Sequence, residues 1–130
     1  MWFLRHHDQT KLQAPVAGIY QDLPAAAHPQ QIGLLTMQPT DTVINAPLDG
    51  DVISLSSSSI FLRALNGQRF ELRIDTLDYQ ISCDWQVRIG DSVSPLTILG
   101  TLNGNLASIT ITIYRIDSIH AANLVTAAND

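Results

Sequence analysis

The chain of 130 residues is poor in several residue types, and each shortage excludes a class of structure. Its one cysteine, Cys83, excludes an internal disulfide and a multi-cysteine zinc site. No apolar run approaches the roughly 20 residues of a membrane span, and the apolar stretch at Trp2–Leu4 is too short for a signal peptide. With 45% hydrophobic residues, the chain has enough apolar mass for a folded core. We therefore expect a cytoplasmic protein without membrane insertion.

Basic residues are also scarce. Seven lysines and arginines face twelve acidic residues, which gives a net charge of −5. This balance argues against nucleic-acid binding, because that affinity comes from basic side chains that neutralise phosphates. It favours a partner surface that is basic or neutral.

Strong helix formers are nearly absent, since Lys11 is the only lysine and Glu71 the only glutamate. Ile, Thr, Ser and Asp are common instead, and these suit strands and turns. Apolar residues also alternate with polar ones in two segments, at Ile109, Ile111 and Ile113 and again within 70–74. The domain is predicted to be all-β, with helix restricted to short turns at 22–28 and 118–127.

A β-hairpin is predicted over residues 60–74. Its turn is Asn66-Gly67, the dipeptide that best tolerates the positive φ angles of a two-residue type I′ turn. This turn would direct Phe61, Leu72 and Ile74 into the core, and Ser58, Ile60, Arg73 and Asp75 to the opposite face. Further strands are predicted at 16–20, 32–37, 42–45, 51–55 and 96–102.

One motif is repeated. Leu-Gln-Ala-Pro-Val-Ala-Gly at residues 12–18 recurs as Ile-Asn-Ala-Pro-Leu-Asp-Gly at 44–50. Proline suits a strand start or an edge, and glycine permits the reversal that follows. A third element, Gly-Asp-Ser-Val at 90–93, is typical of a tight turn that leads into a strand. The repeat predicts a β structure with internal pseudo-symmetry.

A further segment, Gly-to-Pro-Thr-Asp at 33–41, lies between the two repeats. The order of all these motifs along the chain resembles that of the glucose-type enzyme IIA domain of the bacterial phosphoenolpyruvate-dependent sugar phosphotransferase system. The resemblance covers residues 12–116 and leaves 1–11 as an N-terminal extension and 117–130 as a C-terminal tail. It implies an antiparallel β-sandwich or barrel of the barrel-sandwich hybrid (duplicated hybrid motif) type, with no cofactor and no metal. It also implies a cytosolic carrier that takes a phosphoryl group from HPr and passes it to a sugar permease subunit.

The family's two active-site histidines have no counterpart at the matching positions. Alignment through Gly67 puts Ser58 at the supporting position and Arg73 at the phosphorylated one. Alignment through Ile-Asp-Thr at 74–76 puts Glu71 at the phosphorylated position instead. The histidines of this chain are at 6, 7, 28 and 120.

These replacements predict loss of phosphotransfer, because the guanidinium of Arg73 stays protonated and has no lone pair with which to attack. Ser58, Arg73 and Asp75 are candidates for an anion or partner site; the alternative interpretation is an exposed strand face of mixed charge. The chain is thus expected to be a pseudoenzyme that acts by protein–protein contact in sugar uptake or its regulation. Two alternatives remain: an active phosphocarrier with a non-histidine acceptor, and a β-fold binding module recruited to another pathway.

Overall fold

The computed structural model describes residues 10–25, 29–77 and 82–117, and this part of the chain is all-β. Its strands are Gly18–Gln21 (β1), Gln31–Pro39 (β2), Val43–Asn45 (β3), Gly50–Leu55 (β4), Ser59–Ala64 (β5), Arg69–Thr76 (β6), Ser82–Trp85 (β7), Ser92–Val93 (β8), Ile98–Asn103 (β9) and Ile109–Ile116 (β10). A single-turn 3₁₀ helix, Leu106–Ser108, precedes β10. In the described ranges, no helix is long and apolar enough to cross a membrane.

The strands form two antiparallel sheets. The larger has the order β1-β2-β10-β6-β5-β4-β8, and the smaller has the order β3-β9-β7. Each strand predicted from the sequence is present, with ends shifted by a few residues, and β7 was not predicted because its Ser-Cys-Asp-Trp sequence is short and half polar. Residues 22–25, expected to begin a helical turn, are not helical. Residues 26–28 and the predicted helix at 118–127 lie outside the described residues.

One hydrophobic core draws side chains from both sheets. Strand β10 contributes Ile109, Ile111 and Ile113, which alternate with polar residues as the sequence predicts. The same period of two buries Leu72 and Ile74 of β6. Alternation therefore identified the core face of the two strands at the centre of the larger sheet.

The hairpin turn between β5 and β6 differs from the prediction. Gly67 N donates to Ala64 O over 2.9 Å, and Ala64 N donates to Gln68 O over 2.8 Å, so the loop has three residues rather than two. Gly67 has φ of 90°, whereas Asn66 does not have the positive φ that a type I′ turn requires. The predicted type I′ turn is therefore wrong.

The longer loop shifts the pairing of β5 with β6 by one residue. Ile60 lies opposite Leu72, and Phe61 lies opposite Glu71. Because register partners share a face, Ile60 is fully buried in the core and Phe61 is half-buried on the opposite face. The predicted places of Ile60 and Phe61 were thus exchanged.

The two Ala-Pro repeats contact each other reciprocally. Gln13 N donates to Pro47 O over 2.8 Å, and Asn45 N donates to Pro15 O over 2.6 Å. Gln13 and Asn45 are equivalent in the repeat, as are the two prolines, so exchanging the copies turns one bond into the other. This is the arrangement that a local two-fold axis between the repeats produces.

The same symmetry extends to the larger sheet. Exchanging β1 with β4, β2 with β5 and β10 with β6 leaves the order β1-β2-β10-β6-β5-β4 unchanged apart from its direction. The glycines that end the repeats also correspond: an added Cβ at Gly18 would meet the carbonyl oxygen of Gln38, and one at Gly50 would meet that of Arg63. Each half thus begins with a glycine packed closely against the strand it pairs with, and neither glycine has the positive φ of a sharp reversal.

Candidate functional site

The candidate residues of β6 lie on the face of the larger sheet that points away from the core, here called the outer face. Register partners across β10, β6 and β5 form rows on this face. One row contains Tyr114, Glu71 and Phe61, and the next contains Thr112, Arg73 and Ser59, in that strand order. Glu71 and Arg73 are two residues apart on one strand, and strand geometry therefore directs both side chains to the same side.

Glu71 and Arg73 form an ion pair with two hydrogen bonds. Arg73 Nη2 donates to Glu71 Oε1 over 2.8 Å, and Arg73 Nε donates to Oε2 over 3.1 Å. Gln31 of β2 closes the cluster: its Nε2 donates to Glu71 Oε1 over 2.9 Å, and its Oε1 accepts from Arg73 Nη2 over 3.2 Å. Both carboxylate oxygens are therefore occupied by donors from within the protein.

Burial explains why this pairing is needed. The Glu71 side chain is 6% exposed and that of Arg73 is 26% exposed. A carboxylate withdrawn from water is costly unless a counter-charge and hydrogen bonds replace its hydration. Hydrogen bonding to Glu71 raises the pKa of the Arg73 guanidinium above its ordinary value, and burial opposes this effect. Arg73 thus stays protonated and serves as the counter-ion of Glu71.

The ring of Tyr114 holds Arg73 from a second side. The guanidinium carbon lies 4.5 Å from the ring centroid, within the range of a cation–π contact. Tyr114 is itself buried and is the register partner of Glu71. Beside Arg73, its register partner Thr112 forms a buried hydrogen bond with Thr36, with their hydroxyl oxygens 3.0 Å apart.

Ser58 lies in the bend before β5, and its side chain is exposed. Its carbonyl oxygen accepts a hydrogen bond from Ile74 N over 2.7 Å. The residue directly opposite Arg73 is the next one, Ser59, whose hydroxyl lies 3.0 Å from that of Ser56. The predicted anion site of Ser58 and Arg73 remains a prediction, in which Arg73 would first have to release Glu71.

Asp75, the third candidate, is exposed and lies opposite Thr110 at the end of β6. Its negative charge contributes to the raised pKa of Arg73, after the larger effects of Glu71. Two members of the cluster, Gln31 and Tyr114, were not predicted from the sequence. Gln31 is 40 residues from Glu71, and it reaches Glu71 only because β10 lies between β2 and β6.

The cluster of Glu71, Arg73 and Gln31 is better suited to stabilising the sheet than to nucleophilic chemistry. A guanidinium cannot attack, and a buried carboxylate that accepts three hydrogen bonds is a weak nucleophile. The four histidines lie outside the described residues. Within residues 10–25, 29–77 and 82–117, no group of three His, Cys, Asp or Glu side chains could hold a metal ion.

Comparison with known proteins identifies no family: no protein-family model matches the chain, and no curated protein matches it.

Proposed function

We propose that the chain is a cytoplasmic domain of the glucose-type enzyme IIA kind that has lost phosphotransfer and acts by protein–protein contact in sugar uptake or its regulation. Its fold would be the barrel-sandwich hybrid of that family. Two features of the molecule support this role: the duplicated β architecture and the Glu71 cluster.

The internal duplication supports the proposed fold. The reciprocal bonds between the Ala-Pro repeats and the symmetric strand order are the features expected of a duplicated hybrid motif. The motifs also occur along the chain in the order found in the family. Any one of them would be common in β proteins, and their joint order supports the proposal.

The observation that carries the functional part is the closed ring of Glu71, Arg73 and Gln31. In the family, two histidines on neighbouring strands accept and support the phosphoryl group. Here one alignment puts the phosphorylated position at Arg73 and the other puts it at Glu71, and these two residues form an ion pair with each other. A phosphoryl acceptor needs a free lone pair aligned with the donor phosphohistidine, and neither residue offers one.

The test is a transfer reaction with the full chain, phosphoenolpyruvate, enzyme I and HPr, read by intact mass. HPr should gain one acid-labile phosphoryl group and serve as the positive control, while this chain should gain none. Phosphorylation of the unaltered chain would refute the loss of transfer and favour the active-carrier alternative.

Histidine variants then test the family role itself. Ser58→His combined with Arg73→His restores the pair in one alignment, and Glu71→His restores the phosphorylated position in the other. Phosphorylation of either variant would support a retained HPr docking surface. If both variants fold, as judged by amide NMR dispersion, and neither is phosphorylated nor binds HPr, the family role is wrong and a binding module of another pathway is favoured.

A further inference from the structure

The outer face also carries an open depression of about 440 Å³, lined by Ile53, Ser54, Phe61, Arg69 and Ile116. Its apolar members occupy outward positions that alternation would reserve for polar residues. Phe61 faces outward because of the three-residue hairpin loop. Ile53 has no register partner, since β4 is irregular between Val52 and Ser54. Local departures from regular pairing thus bring apolar side chains together outside the core.

Arg69 borders this depression as a cation without a partner in the described part of the chain. Arg69 of β6 lies directly opposite Arg63 of β5, and like charges in that position are destabilising. Arg63 is offset by Asp51, whose Oδ2 lies 3.0 Å from Arg63 Nη2. For the exposed Arg69 side chain, the described part of the structure contains no ion pair or hydrogen bond. Among the described residues, Arg69 is therefore an uncompensated positive charge at the edge of an apolar hollow.

The charge that lines the depression differs in sign from that of the whole chain, because Arg69 is its charged lining residue. Of the neighbouring arginines, Arg63 pairs with Asp51 and Arg73 pairs with Glu71, and Asp75 lies on the same face near Arg73. The net charge of −5 favours a basic or neutral partner for the molecule as a whole. At this depression the matching charge is negative.

We infer that the depression docks a partner protein which presents a large apolar side chain next to a carboxylate. The apolar side chain fills the hollow between Ile53, Phe61 and Ile116, and the carboxylate pairs with Arg69. The inference rests on the proposed function, because it specifies the surface and the partner chemistry through which a contact-based protein acts. It requires no phosphotransfer step.

The test uses amide NMR shifts of the full, ¹⁵N-labelled chain and two peptides with identical glycine–serine flanks. One peptide carries Asp-Phe-Asp and the other Lys-Phe-Lys. The acidic peptide should cause saturable shifts at Ile53, Phe61, Arg69 and Ile116, and the basic peptide should bind less tightly. Arg69→Gln should weaken the acidic peptide about 1.5- to 5-fold, as expected for one exposed charge pair.

Charge reversal sharpens the test. Arg69→Glu should invert the preference, so that the basic peptide binds more tightly. Arg88→Glu is the matched control, because Arg88 is also exposed and lies in the loop before β8. It changes the net charge equally and should leave the preference for the acidic peptide in place.

Several results would overturn the inference: shifts elsewhere, equal binding of the two peptides, or a preference that Arg69→Glu does not change. The variant Leu124→Ser, measured without peptide, tests another occupant. If it moved the amide shifts of the residues that line the depression, the chain's own residues 118–130 would be the occupant and the inference would fail. Shifts that depend on protein concentration alone would assign the surface to a second copy. The transfer reaction with HPr is a separate measurement, so phosphorylation of the unaltered chain would refute the proposed function without deciding where the peptides bind.

Discussion

Breaking the Glu71–Arg73 pair from its two ends should give unequal losses of stability. Arg73→Met removes the guanidinium and leaves a carboxylate that is 6% exposed, with Gln31 as its one remaining donor. Glu71→Gln removes the carboxylate and leaves a guanidinium that is 26% exposed. The stranded carboxylate has less access to water than the stranded guanidinium, so its lost partner is replaced less well by solvent. We therefore expect Arg73→Met to be the more damaging change.

The magnitude follows from the hydrogen bonds and the ring contact that the guanidinium makes. Arg73→Met removes two hydrogen bonds to a charged group, and each contributes roughly 1.5–3 kcal/mol. The cation–π contact with Tyr114 adds about 0.5–1 kcal/mol. Since Arg73 is partly solvated, we discount the sum and expect a loss of about 3 kcal/mol in the free energy of unfolding. Glu71→Gln keeps the side-chain shape and one acceptor, and should cost about 1–2 kcal/mol.

Urea unfolding at neutral pH, followed by far-UV circular dichroism, measures both losses. Glu71→Leu combined with Arg73→Met completes the comparison, because removing both charges should cost less than removing Arg73 alone. The reasoning is refuted if Arg73→Met costs under about 1 kcal/mol, or if Glu71→Gln costs more than Arg73→Met. Either result would mean that the carboxylate does not depend on the guanidinium, and Arg73 would then be available as the anion site predicted from the sequence.

Three further predictions follow from the register, the symmetry and the buried thiol. Ile60→Ala should cost about 2–5 kcal/mol and Phe61→Ala clearly less, in urea unfolding; equal losses would contradict the three-residue hairpin loop. Gly50→Ala should cost about 1–3 kcal/mol, because the new Cβ meets the carbonyl oxygen of Arg63; a neutral effect would show that the strands can separate there freely. Burial raises the pKa of the Cys83 thiol to about 12, against about 8.5 in an unfolded chain. The folded state therefore retains this proton longer, so stability relative to Cys83→Ala should be constant below pH of about 8.5 and fall as the pH rises toward 12; a constant difference across that range would contradict the shift.

Regular alternation made the central strands predictable from sequence. Ile109, Ile111 and Ile113 can present one apolar face only with a period of two, and any buried sheet selects that face. The repeat of Ala-Pro with a following glycine likewise predicted the related positions of the two copies. The structure adds that both glycines lack the space for a side chain.

The hairpin turn and the Glu71 cluster were harder to predict from the sequence. Asn66-Gly67 is compatible with a two-residue and a three-residue loop, since both accept glycine with a positive φ, and local sequence does not choose between them. That difference of one residue exchanged the faces of Ile60 and Phe61 and so placed Phe61 in the lining of the outer depression. The contact of Gln31 with Glu71 depends on strand order, which is a property of the whole chain.

The position of β10 has a consequence for how the protein folds. This last described strand lies in the middle of the larger sheet, between β2 and β6. During synthesis, β2 and the β5–β6 hairpin emerge well before Ile109–Ile116, and each then has an edge without its final neighbour. Exposed edges of this kind are prone to pairing with other chains, and closing such distant contacts is slow. We expect nascent chains that stop before β10 to aggregate, because the strand that joins the two halves of the sheet is the last of them to be made.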